Sequence, residues 1–185
     1  MTRTLVLGGA RSGKSAYAER LAAAGGKEVV YIATAQAGDG EMVQRIALHR
    51  RQRPSQWQTV EEPLALAQAL RQWRSAQSVV LVDCLTLWLS NLLFADGASH
   101  PDVGAITLPA RFGEERAALL EELARAEGDV ILVSNEVGLG IVPYGAVSRA
   151  FTDEAGRLNQ AVAALCDRAV FIAAGLPLTL KDVPC

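Results

Sequence analysis

The chain has 185 residues, 50% of them apolar and 21% charged, with a formal net charge of −2. That length suits one domain with its own core, and the near-neutral charge argues against nucleic acid as a partner, because such binders carry a broad basic excess. No run approaches the ~18–20 apolar residues of a membrane span, and Cys84, Cys166 and Cys185 are too scattered for a disulfide framework or a zinc site.

The N-terminus leads directly into the apolar run Leu5–Leu7, so no signal peptide is expected and a cytoplasmic location fits. After a glycine-rich turn, Ala16–Ala24 has helical patterning and is closed by Gly25 and Gly26. Val29–Ile32 reads as a second strand, Glu41–Arg50 and Leu64–Arg74 as helices, and Val79–Val82 as a third strand. Leu85–Phe94, interrupted by Thr86, Ser90 and Asn91, reads as a buried or subunit-contacting helix, and residues 96–109 as a surface loop. A helix over Glu114–Glu127, a strand at Val130–Val133, a helix over Asp153–Leu165 and a strand at Val170–Ile172 follow. Leu176–Leu180 is a candidate edge strand. Short β-branched strands alternating with helices predict an α/β fold, with a mainly parallel sheet covered by helices on both faces.

The turn after the first strand carries the chemistry. Gly8, Gly9, Ala10, Arg11, Ser12, Gly13, Lys14 and Ser15 fit G-x-x-x-x-G-K-[ST] at every fixed position, between a strand and a helix. Glycines let the backbone curl so that its N–H groups converge on phosphate oxygens. The helix that follows offers further unpaired N–H groups and the positive end of its dipole. Lys14 supplies a point charge for the outer phosphates, and the Ser15 hydroxyl suits Mg²⁺.

Asp83 ends the run "VVLVD" at the tip of a parallel strand, where ligands of such sheets lie. It reads either as a second Mg²⁺ anchor or as the cap of the next helix. Asn135 and Glu136, in "SNEV", are expected to line the same crevice. Arg149, Asp153 and Arg157 share one helical face, as a surface ion-pair ladder or as ligand contacts.

A phosphate loop does not by itself separate a kinase from an ATPase or a switch. No N/T-K-x-D guanine reader is present, which argues against a GTPase switch. In "EMVQRIALHRRQRPSQW", Glu41, Arg45, His49 and Arg53 form one polar stripe. Two readings stand: a solvated helix end with cations at the C-terminal dipole, or an imidazole nucleophile toward phosphorus with arginines to hold developing charge. His100, in the Pro/Gly loop, is expected to be merely exposed.

Taken together, "GGARSGKS", "YIATA", "RIALHRRQRPSQW", "TVEEP", "LVDCLTLWLSNLL", "VSNEVGLGIVP" and "FTDEAGRLNQ" resemble the bifunctional adenosylcobinamide kinase / adenosylcobinamide-phosphate guanylyltransferases of cobalamin biosynthesis. The resemblance spans nearly the whole chain. It implies a P-loop NTPase fold of RecA-like type, with residues 1–185 forming a single nucleotide-binding and transferase domain. It also implies two reactions: phosphorylation of adenosylcobinamide by ATP or GTP, and transfer of GMP from GTP through a histidine to adenosylcobinamide phosphate. On this resemblance His49 is the nucleophile. Gly8 to Ser15, Ala33, Thr34, Ala35, Arg50, Arg51, Gln52, Arg53, Glu61 and Asp83 contact the nucleotide, with Mg²⁺ on Ser15 and Asp83. A homotrimer is implied as well. Some relatives place a second histidine where this chain has Leu48, and some have Glu where it has Asp83. A kinase with one activity, or a nucleotide-dependent switch, are the alternative readings.

Overall fold

The computed structural model describes residues 1–36, 40, 53–125 and 127–183. Its seven strands are β1 (Arg3–Gly8), β2 (Glu28–Ala33), β3 (Gln58–Glu61), β4 (Ser78–Asp83), β5 (Asp129–Asn135), β6 (Arg168–Ala173) and β7 (Leu176–Asp182). The described helices are α1 (Lys14–Ala24), α2 (Leu66–Trp73), α3 (Leu85–Leu93), α4 (Ala110–Ala124) and α5 (Ala146–Leu165). The strands form one sheet in the order β3-β2-β4-β5-β1-β6-β7. All neighbours pair in parallel except β7, which returns antiparallel to β6.

The two-residue period of the strands sorts their side chains into two cores. Leu5 and Leu7, Val30 and Ile32, Val80 and Val82, and Val130 and Leu132 face one side, where α2, α3, α4 and α5 bury residues such as Leu70, Trp88, Leu119 and Leu158. Val6, Val29, Tyr31, Val79, Leu81, Ile131 and Val133 face the other, against α1. Ala18 and Ala22 are fully buried there, and their small side chains let α1 approach the sheet closely. The expected mainly parallel sheet with helices on both faces is therefore what the chain builds. Among the described residues no helix is long and apolar enough to cross a membrane.

Several boundaries differ from expectation. β3 was not anticipated: Gln58-Thr59-Val60-Glu61 has one strong apolar residue, and its strand character comes from pairing with β2. α5 begins at Ala146 rather than Asp153, since Val147 and Phe151 continue its packing face onto the core. α4 covers Ala110–Ala124 rather than Glu114–Glu127. The expected edge strand is present as β7, and Leu85–Phe94 proves to be a buried core helix. His100 is half-buried, not merely exposed: its Nε2 lies 2.9 Å from the Leu93 carbonyl, and its ring meets Phe94 edge-on. The helix expected over Glu41–Arg50 lies outside the described residues.

Candidate active site

The phosphate loop leaves the end of β1 and enters α1. A Cβ on Gly8 would lie 2.5 Å from Ser12 Oγ and 2.6 Å from the Ile172 carbonyl oxygen, so only glycine fits. Gly13, the residue before α1, takes φ 93°, a conformation that L side chains rarely adopt. The Ser12 N–H donates to Gly9 O at 3.2 Å, and the β6–β7 turn braces the loop where the Gly175 N–H donates to Ser12 O at 2.8 Å. Lys14 is 9% exposed, and its ammonium folds back to donate to Gly9 O at 3.3 Å. No side chain caps α1 and no acidic residue occupies its first turn, so its N–H groups remain directed at the loop.

The tips of β2 and β4 form the opposite wall. Tyr31 is 2% exposed; its hydroxyl donates to Asp83 Oδ2 at 2.9 Å, and the Arg53 guanidinium lies 3.5 Å from its ring centroid. Burial, reinforced by the Asp83 charge, pushes the Tyr31 hydroxyl far above the usual phenol range, so it remains a donor. Among the described residues Arg53 Nε, which is buried, has no hydrogen-bond partner. Asp83 does not cap the next helix: the residue before α3 is Cys84, and α3 has no side-chain cap. Burial, followed by the Asp83 charge, raises the Cys84 thiol, which keeps it protonated rather than nucleophilic.

A cleft of about 380 Å³ lies between these walls. It is lined by the expected Ala10, Arg11, Lys14, Ser15, Ala33, Ala35, Arg53 and Asp83, and by Asn135 and Glu136 from the tip of β5. Tyr31, Cys84, Leu87 and Val137 also line it, and sequence reasoning had not singled them out. Tyr31 carried a usable signal: a tyrosine in an otherwise apolar buried strand must place its hydroxyl on a partner. Gly8, Gly9, Ser12 and Gly13 shape the loop. Thr34 is fully buried and works within the sheet edge: its Oγ1 donates to Cys84 O at 2.8 Å and accepts the Cys84 N–H at 2.9 Å. Glu61 stands at the tip of β3, in register with Ala33 and exposed. His49, Arg50, Arg51 and Gln52 lie outside the described residues.

Ser15 and Asp83 face the same cleft, and Tyr31 occupies one oxygen of Asp83, leaving the other for a ligand. A hydroxyl and a carboxylate suit a hard cation that keeps most of its water and shares phosphate oxygens, so the donor set fits Mg²⁺. Among the described residues no group of three or more His, Cys, Asp or Glu could hold a metal.

Of the two readings of Arg149, Asp153 and Arg157, the ion-pair ladder is not formed. Arg149 donates to the Pro143, Tyr144 and Gly104 carbonyls, whereas Arg157 pairs with Glu154, which also takes Arg116. Arg149, Asp153 and Arg157 do line a second cavity, of about 300 Å³, against the 104–108 loop.

A strand-loop-helix anion cradle at the edge of a mainly parallel sheet, facing a strand-end carboxylate, defines a P-loop nucleotide-binding protein of RecA-like architecture. Solved structures share that fold. Flagellar accessory protein FlaH from Methanocaldococcus jannaschii aligns with a TM-score of 0.52 at 13% identity, over 98% of this chain and 79% of that one. An ATPase from the type III secretion system of pathogenic bacteria aligns with a TM-score of 0.52 at 15% identity, over 96% of this chain and 56% of that one. More specifically, residues 4–180 match the family described as cobinamide kinase / cobinamide phosphate guanyltransferase, and the chain belongs to that family. It is 58% identical to the bifunctional adenosylcobalamin biosynthesis protein CobP of Pseudomonas aeruginosa, over 98% of this chain and 99% of the relative. It is 40% identical to the bifunctional adenosylcobalamin biosynthesis protein CobU of Escherichia coli, over 96% of this chain and 98% of the relative.

Proposed function

We infer that this chain is a bifunctional transferase of cobalamin biosynthesis. It phosphorylates the hydroxyl of the aminopropanol arm of adenosylcobinamide with ATP or GTP. It then transfers GMP from GTP, through a histidine, to adenosylcobinamide phosphate. The observation that carries this reading is one cleft holding a complete phosphate loop and a strand-end carboxylate, in a chain of this family.

In the kinase half, loop amides and Lys14 hold the outer phosphates, and the γ-phosphorus meets the acceptor hydroxyl in line. Ser15 and Asp83 would hold Mg²⁺, which supplies charge neutralisation at the phosphates when bound. In the transferase half, the His49 imidazole attacks the α-phosphorus: an N–P bond forms and pyrophosphate leaves. The acceptor phosphate then displaces the histidine, so one meeting of two large anions becomes two easier steps. Arg53, held against Tyr31 and with a buried Nε that has no partner among the described residues, is a donor available to the nucleotide. We read residues 1–185 as a single domain that acts in the cytoplasm as a homotrimer.

Incubation with α-labelled GTP tests the transferase half: acid-labile, base-stable label is expected on the wild type and absent from His49→Ala. Label persisting in that variant rules His49 out as the nucleophile. Lys14→Ala is expected to abolish both reactions, since both use the same cradle. Either activity near the wild-type rate would mean separate nucleotide sites. Mass determination under native conditions tests the trimer.

A further inference from the structure

Glu136 lines the nucleotide cleft together with Lys14 and Ser15, yet it belongs neither to the phosphate cradle nor to the Ser15–Asp83 cation pair. Its position follows from the sheet. β5 lies between β1 and β4; Val133 is in register with Asp83, and Asn135 with Gly8. The Glu136 N–H extends this pairing by donating to Gly8 O at 3.1 Å. At about 3.3 Å per residue, Glu136 stands about 10 Å farther along β5 than the level of Asp83. The two carboxylates of the cleft are therefore at different depths. Asp83 is set back at the sheet edge, and Glu136 projects beside the mouth of the phosphate loop.

Glu136 Oε1 accepts the Gly138 N–H at 2.7 Å, which fixes the carboxylate. Among the described residues Glu136 forms no ion pair, and its Oε2 accepts no hydrogen bond. An unneutralised carboxylate at the edge of an anion cradle repels the triphosphate. Holding the local turn does not need that charge, since a neutral amide oxygen accepts from Gly138 equally well. A base for the acceptor does need it: phosphoryl transfer to an alcohol requires a residue to orient the hydroxyl and take its proton.

We propose that Glu136 is the general base of the kinase reaction. The acceptor O–H gives its proton to the Glu136 carboxylate as its oxygen bonds to the γ-phosphorus. The bond from that phosphorus to the β-bridging oxygen breaks, and the nucleoside diphosphate leaves with the electron pair. Glu136 then releases the proton to water. This assignment rests on the kinase half of the proposed function.

The test measures kcat and KM for both substrates with γ-labelled nucleotide and cobinamide, in wild type, Glu136→Gln and Glu136→Ala. Glu136→Gln keeps an acceptor for Gly138 and removes only the basic charge. Its kcat is expected to fall about 100-fold or more, within the range typical of general bases, with both KM values within about threefold. Added formate is expected to restore part of the lost kcat in Glu136→Ala, which a residue that only holds the turn would not allow. A Glu136→Gln kcat within about fivefold of wild type overturns the assignment, as does a loss confined to KM or Glu136→Ala activity unmoved by formate. Wild-type protein that transfers no γ-phosphoryl group to cobinamide overturns the kinase reading itself, a result distinct from active wild type with an equally active Glu136→Gln.

Discussion

Tyr31 is where two charged groups of the cleft are held by one side chain. Its hydroxyl orients Asp83, and its ring supports Arg53. A hydrogen bond to a charged group contributes about 1.5–3 kcal/mol. Tyr31→Phe keeps the ring and loses the bond, so the nucleotide Kd is expected to rise about tenfold. Tyr31→Leu loses the face beneath Arg53 as well and is expected to bind more weakly still. Calorimetric titration with GTP checks both, and an unchanged Kd in Tyr31→Phe would deny Tyr31 an orienting role. Gly8 is constrained by space rather than charge. In Gly8→Ala the new methyl meets the Ile172 carbonyl of the backbone, which cannot swing aside. At least a tenfold loss of nucleotide affinity is expected in the same titration, since the loop start must move.

At the scale of elements, α3 is the central strut of the larger core. Leu85, Trp88, Leu89, Leu92 and Leu93 are all buried, and Trp88 Nε1 donates to Leu64 O at 2.7 Å, tying the helix to the chain entering α2. One turn further along the same side, Asn91 Nδ2 donates to Thr34 O at 2.7 Å and Pro63 O at 3.0 Å. The helix thus sets the height of the β2 tip, and with it one wall of the cleft. Leu89 is 1% exposed and sits within the larger core. Leu89→Ala is expected to cost about 2–5 kcal/mol, read as a lower urea midpoint with an unchanged slope. Most elements were legible because their burial marks the sequence: β1, β2 and β4 are continuous apolar runs, covered on both faces. β3 was not, because Gln58 and Glu61 lie at an exposed edge and pairing with β2 makes the strand. The start of α5 was missed because Ser148, Arg149 and Thr152 interrupt its first two turns, and only packing shows that Val147 and Phe151 face the core.

For the whole molecule, two carboxylates from late in the chain anchor the start of β1. Asp167 accepts the Arg3 N–H at 2.7 Å and pairs with its guanidinium at 3.2 Å. Asp129 accepts the Thr2 N–H at 2.7 Å and meets Lys27 at 2.8 Å. Partial burial opposes ionisation at both sites. Arg3 at Asp167, and Lys27 with Thr2 at Asp129, outweigh it and hold both carboxyls below their ordinary 3.8. A depressed folded pKa means stability that is fully present above the unfolded value and lost as pH falls through the folded one. Stability is therefore expected to be level above about pH 5 and to decline below about pH 4. Asp167→Asn should be less stable at neutral pH and show a shallower acid decline in thermal melts. A decline as steep as that of wild type would mean that Asp167 contributes nothing to it.

The sequence by itself determined the phosphate loop, since glycine spacing, the lysine and the following hydroxyl are local requirements of a curled backbone. It also determined the α/β alternation, because burial on both faces writes apolar runs directly into the chain. Only the tertiary structure decided that Tyr31 joins Asp83 to Arg53, that Thr34 serves the sheet edge, and that the Glu136 N–H pairs with Gly8 O at the start of the loop. Those contacts depend on strand order and register, which bring together residues far apart in sequence and leave no periodic trace in it.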